Sequence, residues 1–185
     1  MCFIMNEITK DGIEMREHLI LQGDFHVSSD QDIVLTTLLG SCVATCLFDP
    51  IAKVGGMNHF LLASGPVGSA SSEQYGLYAM EVVINGLLKQ GAKKSRFEAK
   101  LFGCANMGEG MSHIGKENGR FAMQFLELEG IPCSSMSLGG NQARRLRFIP
   151  TTGLVKQRLV DRAPVENLQE RNTRPDNDEI QFFEE

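Results

Sequence analysis

Residues 35–62 read LTTLLGSCVATCLFDPIAKVGGMNHFLL, and the fold and chemistry of the chain are organised around them. Two apolar runs, 43–48 and 57–62, read as strands, with DPIAKVGG as the turn of a hairpin. Cys42 stands at the entry of the first run, directly after Gly40-Ser41. His59 interrupts the second run where an apolar residue is the default. A thiol at a glycine-assisted corner, with an imidazole on the neighbouring strand, is the arrangement a Cys/His hydrolase needs, provided both side chains share a face and a level.

Outward from this hairpin, 18–29 reads as a first strand with a bulge or turn at Gly23-Asp24, and 33–36 as a second strand leading into the corner. A small-residue loop, 63–73, follows the histidine strand. Tyr75, Tyr78, Ala79, Val82, Val83, Leu87 and Leu88 form a helical stripe over 75–90, closed by Gly91. A strand at 97–102 precedes a glycine-rich turn. Phe121, Phe125 and Leu128 mark a helix over 114–128, broken by Gly130-Ile131-Pro132. Strands follow at 133–138, 144–150 and 153–160. Strands, then helices alternating with strands, then strands again predict an α/β layered domain with at least one antiparallel hairpin. Residues 1–17 read as an extension with a helical turn or two, 18–161 as the domain, and 162–185 as an acidic tail expected to be disordered, with EIQFFEE (179–185) a candidate docking peptide.

Composition narrows the function. The chain has 185 residues, 42% apolar and 22% charged, as an ordinary globular domain does. Of 18 basic and 23 acidic residues, two arginines and seven carboxylates after Ala163 carry the net charge of −5, leaving 16 of each sign in the body. Such a body has no field to hold nucleic acid. No apolar run is long enough to span a bilayer, and the N-terminus lacks a secretory pattern, so a cytoplasmic protein is expected. The five cysteines are odd in number and widely spaced, which predicts free thiols.

Cys42 is the candidate nucleophile and His59 the candidate base, with Thr36 or Thr37 to orient the ring and backbone N–H groups at the corner to receive an oxyanion. Two alternatives stand beside this. Cys42 and His59 are also compatible with plain core packing. Cys42, Cys46, His59, Cys104 and His113 are compatible with zinc, although a C-x₃-C pair on a strand spans roughly 13 Å, too far for one ion. No nucleotide-binding glycine spacing is present.

The same stretch, with YGLYAMEVVINGLLKQGA (75–92), AKLFGCANM (99–107), IGKENGRF (114–121), LGGNQARRL (138–146) and TGLVKQRL (152–159), resembles the CheD family of chemoreceptor glutamine deamidases over about residues 19–160. The resemblance implies a layered sandwich of mixed β-sheets with flanking helices, similar to the catalytic domain of cytotoxic necrotizing factor toxins. It implies a protein-glutamine glutaminase that needs no cofactor or metal and acts on methyl-accepting chemoreceptors. Its catalytic cysteine falls on Cys42, its histidine on His59 and its threonine, six residues before the cysteine, on Thr36. It also implies a competing role as an adaptor, binding a CheC-like phosphatase or other chemotaxis proteins. Two departures stand out: Cys104, where the family has a second glycine, which would bring another thiol toward the site, and Ala143 before Arg144, where the family has glycine.

Overall fold

The computed structural model describes residues 9–10, 13–62, 70–108 and 112–160. Eleven strands are assigned there. They are β1 Thr9–Lys10, β2 Ile13–Glu14, β3 Arg16–Leu19, β4 Phe25–Ser28, β5 Ile33–Leu39, β6 Val43–Asp49, β7 Val54–Asn58, β8 Glu98–Gly103, β9 Cys133–Leu138, β10 Ala143–Ile149 and β11 Leu154–Val160. The helices are α1 Ala70–Lys89 and α2 Ser112–Leu128. The acidic segment 162–185 and its EIQFFEE sequence lie outside the described residues.

Two mixed sheets form two layers, and the helices form a third. One sheet has the order β11-β10-β5-β3, with β3 parallel to β5. The other has the order β4-β7-β6-β8-β9, with β8 parallel to β9. Between the sheets lie Leu35, Leu39, Leu146 and Phe148 from the first and Ala44, Cys46, Phe48 and Met57 from the second, all buried. The other face of the five-stranded sheet packs Val43, Leu47, Val54 and Leu101 against Met80, Val83 and Leu87 of α1 and Ala122, Phe125 and Leu126 of α2. The strand β6 is buried on both faces, so its sequence, VATCLFD, is apolar up to Asp49 except at Thr45, whose hydroxyl donates to Met80 Sδ.

Both helices end in the same way. The N–H of Gly91 bonds to the carbonyl of Leu88 and that of Ala92 to Leu87, and Gly130 and Ile131 repeat the pattern on Glu127 and Leu126. The glycines have φ of +86° and +67°, and the buried Ala92 and Ile131 that follow cover the helix ends. The buried face of α1 is rotated from the expected stripe: Ala79, Met80, Val83, Ile84 and Leu87 are buried, whereas Tyr78 and Leu88 face solvent. Leu128, expected on the core face of α2, is exposed at the helix end.

The hairpin turn is shorter than the sequence implies. It occupies Pro50–Lys53, and Gly55-Gly56 belong to β7. These glycines serve close packing. A Cβ on Gly55 would lie 2.4 Å from the Pro150 carbonyl oxygen, and one on Gly56 would lie 2.7 Å from Val27 and 3.0 Å from Val83. The 18–29 segment is not one strand but two: β3 lies in the four-stranded sheet and β4 in the five-stranded sheet, with residues 20–24 crossing between them. The strand β3 begins at Arg16, so Arg16 and Glu17 belong to the sheet, and the short pair β1–β2 stands where a helical turn was expected.

Candidate active site

Two crossings between the sheets meet at one end of the sandwich. Residues 40–42 carry the chain from β5 to β6, and residues 20–24 carry it from β3 to β4. Cys42 is the last residue of the first crossing. The β6–β7 register, Cys46 opposite Met57, stays in step through the bridge of Val43 with Phe60. His59 is therefore diagonal to Cys42, and side chains alternate so that both fall on the face toward the four-stranded sheet. Diagonal partners stand about 7 Å apart at the backbone, within reach of an imidazole. Asn58 faces the other way, where its amide donates to the Ala79 carbonyl of α1 at 2.6 Å.

The threonine that meets the histidine is Thr37, not Thr36. Thr37 Oγ1 lies 2.9 Å from His59 Nδ1 and donates to the Ile20 carbonyl at 2.8 Å. The register explains the correction. Leu35 and Leu39 point between the sheets, so Thr37 shares their face, and Thr36 is one residue out of phase. Thr36 is buried and contributes its backbone carbonyl, which accepts from the Ile20 N–H at 2.8 Å.

Counting hydrogens fixes the tautomer. A hydroxyl has one hydrogen, and that of Thr37 is committed to Ile20. Toward His59 the oxygen can only accept, so Nδ1 carries the ring hydrogen and Nε2 presents a bare lone pair. That Nε2 is buried without a hydrogen-bond partner among the described residues. Burial pulls the His59 pKa below the ordinary histidine value, against opposing effects of the Ile20 carbonyl and the Asp24 carboxylate. Burial also pushes the Cys42 thiol up, opposed by its own backbone N–H. Burial thus disfavours the charged form of both groups.

Three further residues complete the surroundings. Asn118 of α2, fully buried, donates to the Ser41 carbonyl at 2.9 Å and accepts from the Leu62 N–H at 2.8 Å. One amide thereby ties the cysteine corner to the chain leaving the histidine. Gln22, in the crossing 20–24, accepts a hydrogen bond from Cys42 Sγ at 3.3 Å. The Tyr75 hydroxyl lies 3.5 Å from the position of a Cβ at Gly23. In the sequence, Gln22 follows the apolar run Leu19-Ile20-Leu21, and Asn118 is one of several polar residues in IGKENGRF (114–121). The one local signal was Gly23-Asp24, a bulge or turn inside a run otherwise fit for a strand.

The other cysteines stand apart. Cys46 is fully buried on the face of Cys42, and burial pushes its thiol far up. Cys104 adopts φ +61°, which turns its side chain into the helix-side core against Gly119, and its pKa is raised to about 12 by burial. Its backbone N–H bonds to the Cys42 carbonyl at 2.7 Å, so it braces Cys42 through the main chain while its thiol points elsewhere. His113 is exposed on α2. Among the described residues, no three His, Cys, Asp or Glu side chains gather as metal ligands.

Known proteins match this chain closely. The family model for CheD chemotactic sensory transduction matches residues 63–159. A relative from Agrobacterium fabrum is 49% identical over 84% of this chain and 87% of its own length. One from Caulobacter vibrioides is 52% identical over 78% and 80%, and one from Rhizobium rhizogenes 46% identical over 89% and 94%. All three bear the name "Probable chemoreceptor glutamine deamidase CheD". Among solved structures, the Bacillus licheniformis hypothetical protein YfiH aligns with 62% of this chain and 50% of its own at a TM-score of 0.41 and 15% identity, too distant to bear on the argument.

Proposed function

The chain belongs to the CheD family, and we propose that it is a chemoreceptor glutamine deamidase in which Cys42 is the nucleophile, His59 the general base and acid, and Thr37 the group that orients the ring. It is an amidohydrolase acting on protein glutamine. The observation that carries the assignment of roles is the fixed tautomer of His59, whose bare Nε2 lies on the face of Cys42.

The reaction follows from these groups. His59 Nε2 takes the thiol proton as Sγ bonds to the carboxamide carbon of a receptor glutamine, and the carbonyl electron pair moves onto oxygen. The imidazolium then protonates the nitrogen. The C–N bond breaks, ammonia leaves, and a thioester remains. Water attacks the thioester as Nε2 takes its proton. The C–S bond breaks, the proton returns to sulfur, and the glutamine has become glutamate. Burial disfavours the charged form of both groups, so the thiolate forms only as His59 takes its proton for the attack. The receptor gains one carboxylate.

No helix of the described residues is long and apolar enough to cross a membrane. We read the protein as cytoplasmic, acting on receptor segments exposed there. A CheC-like phosphatase is the second partner that the family suggests. Pull-down with the purified phosphatase tests it separately from catalysis.

The deciding experiment incubates the full chain with a purified receptor cytoplasmic fragment and follows ammonia release together with the Gln→Glu mass change by peptide mapping. Wild-type protein should produce both, and Cys42→Ala and His59→Ala neither. Undiminished turnover by Cys42→Ala would overturn the mechanism.

A further inference from the structure

We propose that Gln22 is a catalytic residue of this site: its carboxamide accepts from the Cys42 thiol at rest and, turned by half a rotation, donates its N–H to the thiolate and to the oxyanion of the tetrahedral intermediate. The proposal rests on Cys42 being the nucleophile.

The placement of Gln22 is coupled to the reacting groups on both sides. Before it, the Ile20 carbonyl accepts the Thr37 hydroxyl, and the Ile20 N–H donates to Thr36. After it, the Gly23 N–H donates to the His59 carbonyl at 2.7 Å, and the Asp24 carbonyl accepts the His59 N–H at 3.0 Å. The same bonds that set the imidazole therefore set the origin of the Gln22 side chain. The residue itself is exposed, whereas the cysteine it reaches is only 9% exposed. An exposed glutamine on a turn ordinarily spends its amide on water. This one closes over the nucleophile at 3.3 Å.

A carboxamide suits a group whose charge changes during reaction. The thiol is a donor, and Oε1 accepts from it. Once His59 holds the proton, sulfur can only accept, and Oε1 would repel it. The NH₂ end has nearly the shape of the oxygen end, so a half-turn about the terminal bond presents a donor without repacking. The oxyanion forms on the carbon bonded to Sγ, so a donor beside Sγ is also beside that oxygen. Hydrogen bonds to charged acceptors are roughly twice as strong as neutral ones, so the donated bond outweighs the weak S–H bond it replaces. The gain falls where negative charge develops, which is the condition for accelerating the chemical step.

The geometry disfavours a second role for this amide, as a bound imitation of the substrate. It is the amide oxygen that meets the sulfur, as an acceptor for its proton, whereas attack requires the carbon.

The test compares wild type, Gln22→Ala and the isosteric Gln22→Glu, whose shape preserves the fold. The first measurement needs no receptor: the pH profile of Cys42 alkylation by iodoacetamide, read by peptide mapping. The profile should move to higher pH in Gln22→Ala and further in Gln22→Glu, where a carboxylate faces the thiolate. The second is turnover of the receptor fragment, where Gln22→Ala should lower kcat by about 100-fold with KM little changed. An unchanged alkylation profile, or kcat within about threefold of wild type, overturns the proposal. So does faster turnover in Gln22→Ala with Glu found at position 22 of the wild-type chain, the result expected of a substrate imitation. If wild type releases no ammonia from the receptor, the functional reading fails, and the alkylation profile still decides whether Gln22 stabilises the thiolate.

Discussion

Thr37 and His59 share one hydrogen bond, Oγ1 to Nδ1 at 2.9 Å, and its direction is dictated by a third group, the Ile20 carbonyl that takes the threonine's only hydrogen. The bond therefore selects a tautomer as well as an orientation. Thr37→Val keeps the shape and loses the hydroxyl, leaving the Ile20 carbonyl and the ring N–H without this partner. It should cost about 1–3 kcal/mol in urea unfolding and at least ~10-fold in deamidation, within the ~10²–10⁴-fold that general base catalysis supplies. Thr37→Ser keeps the hydroxyl and should stay near wild type. Thr36→Val leaves the Ile20 N–H its carbonyl acceptor and should do little to the rate. A Thr36 variant more damaging than Thr37→Val would reverse the assignment.

The pH dependence follows from the burial of the pair. The proposed mechanism needs neutral His59, whose pKa lies below the ordinary value of 6.5. Activity should persist below pH 6.5 and fall as pH drops through the lowered value. Stability has the same sign. Between the folded pKa and 6.5 the unfolded chain binds a proton that the folded chain refuses, so stability declines with falling pH over that window. His59→Gln should remove this part of the slope. Denaturant midpoints from pH 7.5 down to 5 for both proteins test it, and equal slopes would show that His59 protonates freely in the fold.

Much of this was legible because apolar periodicity reports burial directly. The strand 133–138, the closing hairpin after Thr151 and the Gly91 helix stop needed only local sequence. The candidate site residues Cys42 and His59 were visible because each breaks a local rule: a thiol at a glycine corner and an imidazole in an apolar run. What stayed hidden depends on which layer a residue meets. Gly55 and Gly56 read as turn, but they are strand residues kept small by Pro150, Val27 and Val83. The run 18–29 has strand composition throughout, and nothing local says that its halves join different sheets. Thr36 and Thr37 differ only in phase, which the packing of β5 on the opposite sheet decides. Cys104 lies opposite Cys42 in the β6–β8 register, yet its positive φ sends the thiol to the other core.

Asn118 should matter to the rate although it lies on a helix behind the site. Its amide is the common partner of Ser41 and Leu62, the two points where the chain enters the cysteine strand and leaves the histidine. Asn118→Asp still accepts from Leu62 but turns a carboxylate oxygen toward the Ser41 carbonyl. Asn118→Leu loses both bonds and leaves two half-buried backbone groups without this partner. Leu should cost about 2–4 kcal/mol from these two groups, and Asp should lower the rate of Cys42 alkylation as well as turnover. Wild-type alkylation in a folded Asn118→Asp protein would separate the helix from the site.

Asp49 tests the opposite expectation, a large stability effect without a catalytic one. Its side chain is fully buried at the end of β6 and accepts from the N–H groups of Ile51, Ala52 and Lys93 and from both Nε and Nη2 of Arg96. Burial alone would raise its pKa. The backbone and guanidinium donors overcome that and hold it at about 2. The carboxylate closes the 50–53 turn and fastens the Lys94–Arg96 turn of 3₁₀ helix to the sheet, on strand residues remote from the Cys42 corner. Because its folded pKa lies below the unfolded value, its contribution is complete above about pH 4 and is lost as pH falls toward 2. Asp49→Ala leaves three backbone donors unpaired and Arg96 without its partner. Removing one member of a buried pair costs about 3–5 kcal/mol, and Arg96, which is 24% exposed, can turn partly to water, so the lower end is expected. Asp49→Asn keeps an acceptor oxygen and should lose less, while removing the part of the acid-induced decline between pH 4 and 2 that Asp49 contributes. Urea unfolding at pH 7 and at pH 3, alongside deamidation at a temperature where each variant is folded, gives the comparison. A loss under about 1 kcal/mol in Asp49→Ala, or a kcat that falls in step with stability, would show that this corner does not work as an independent clamp on the fold.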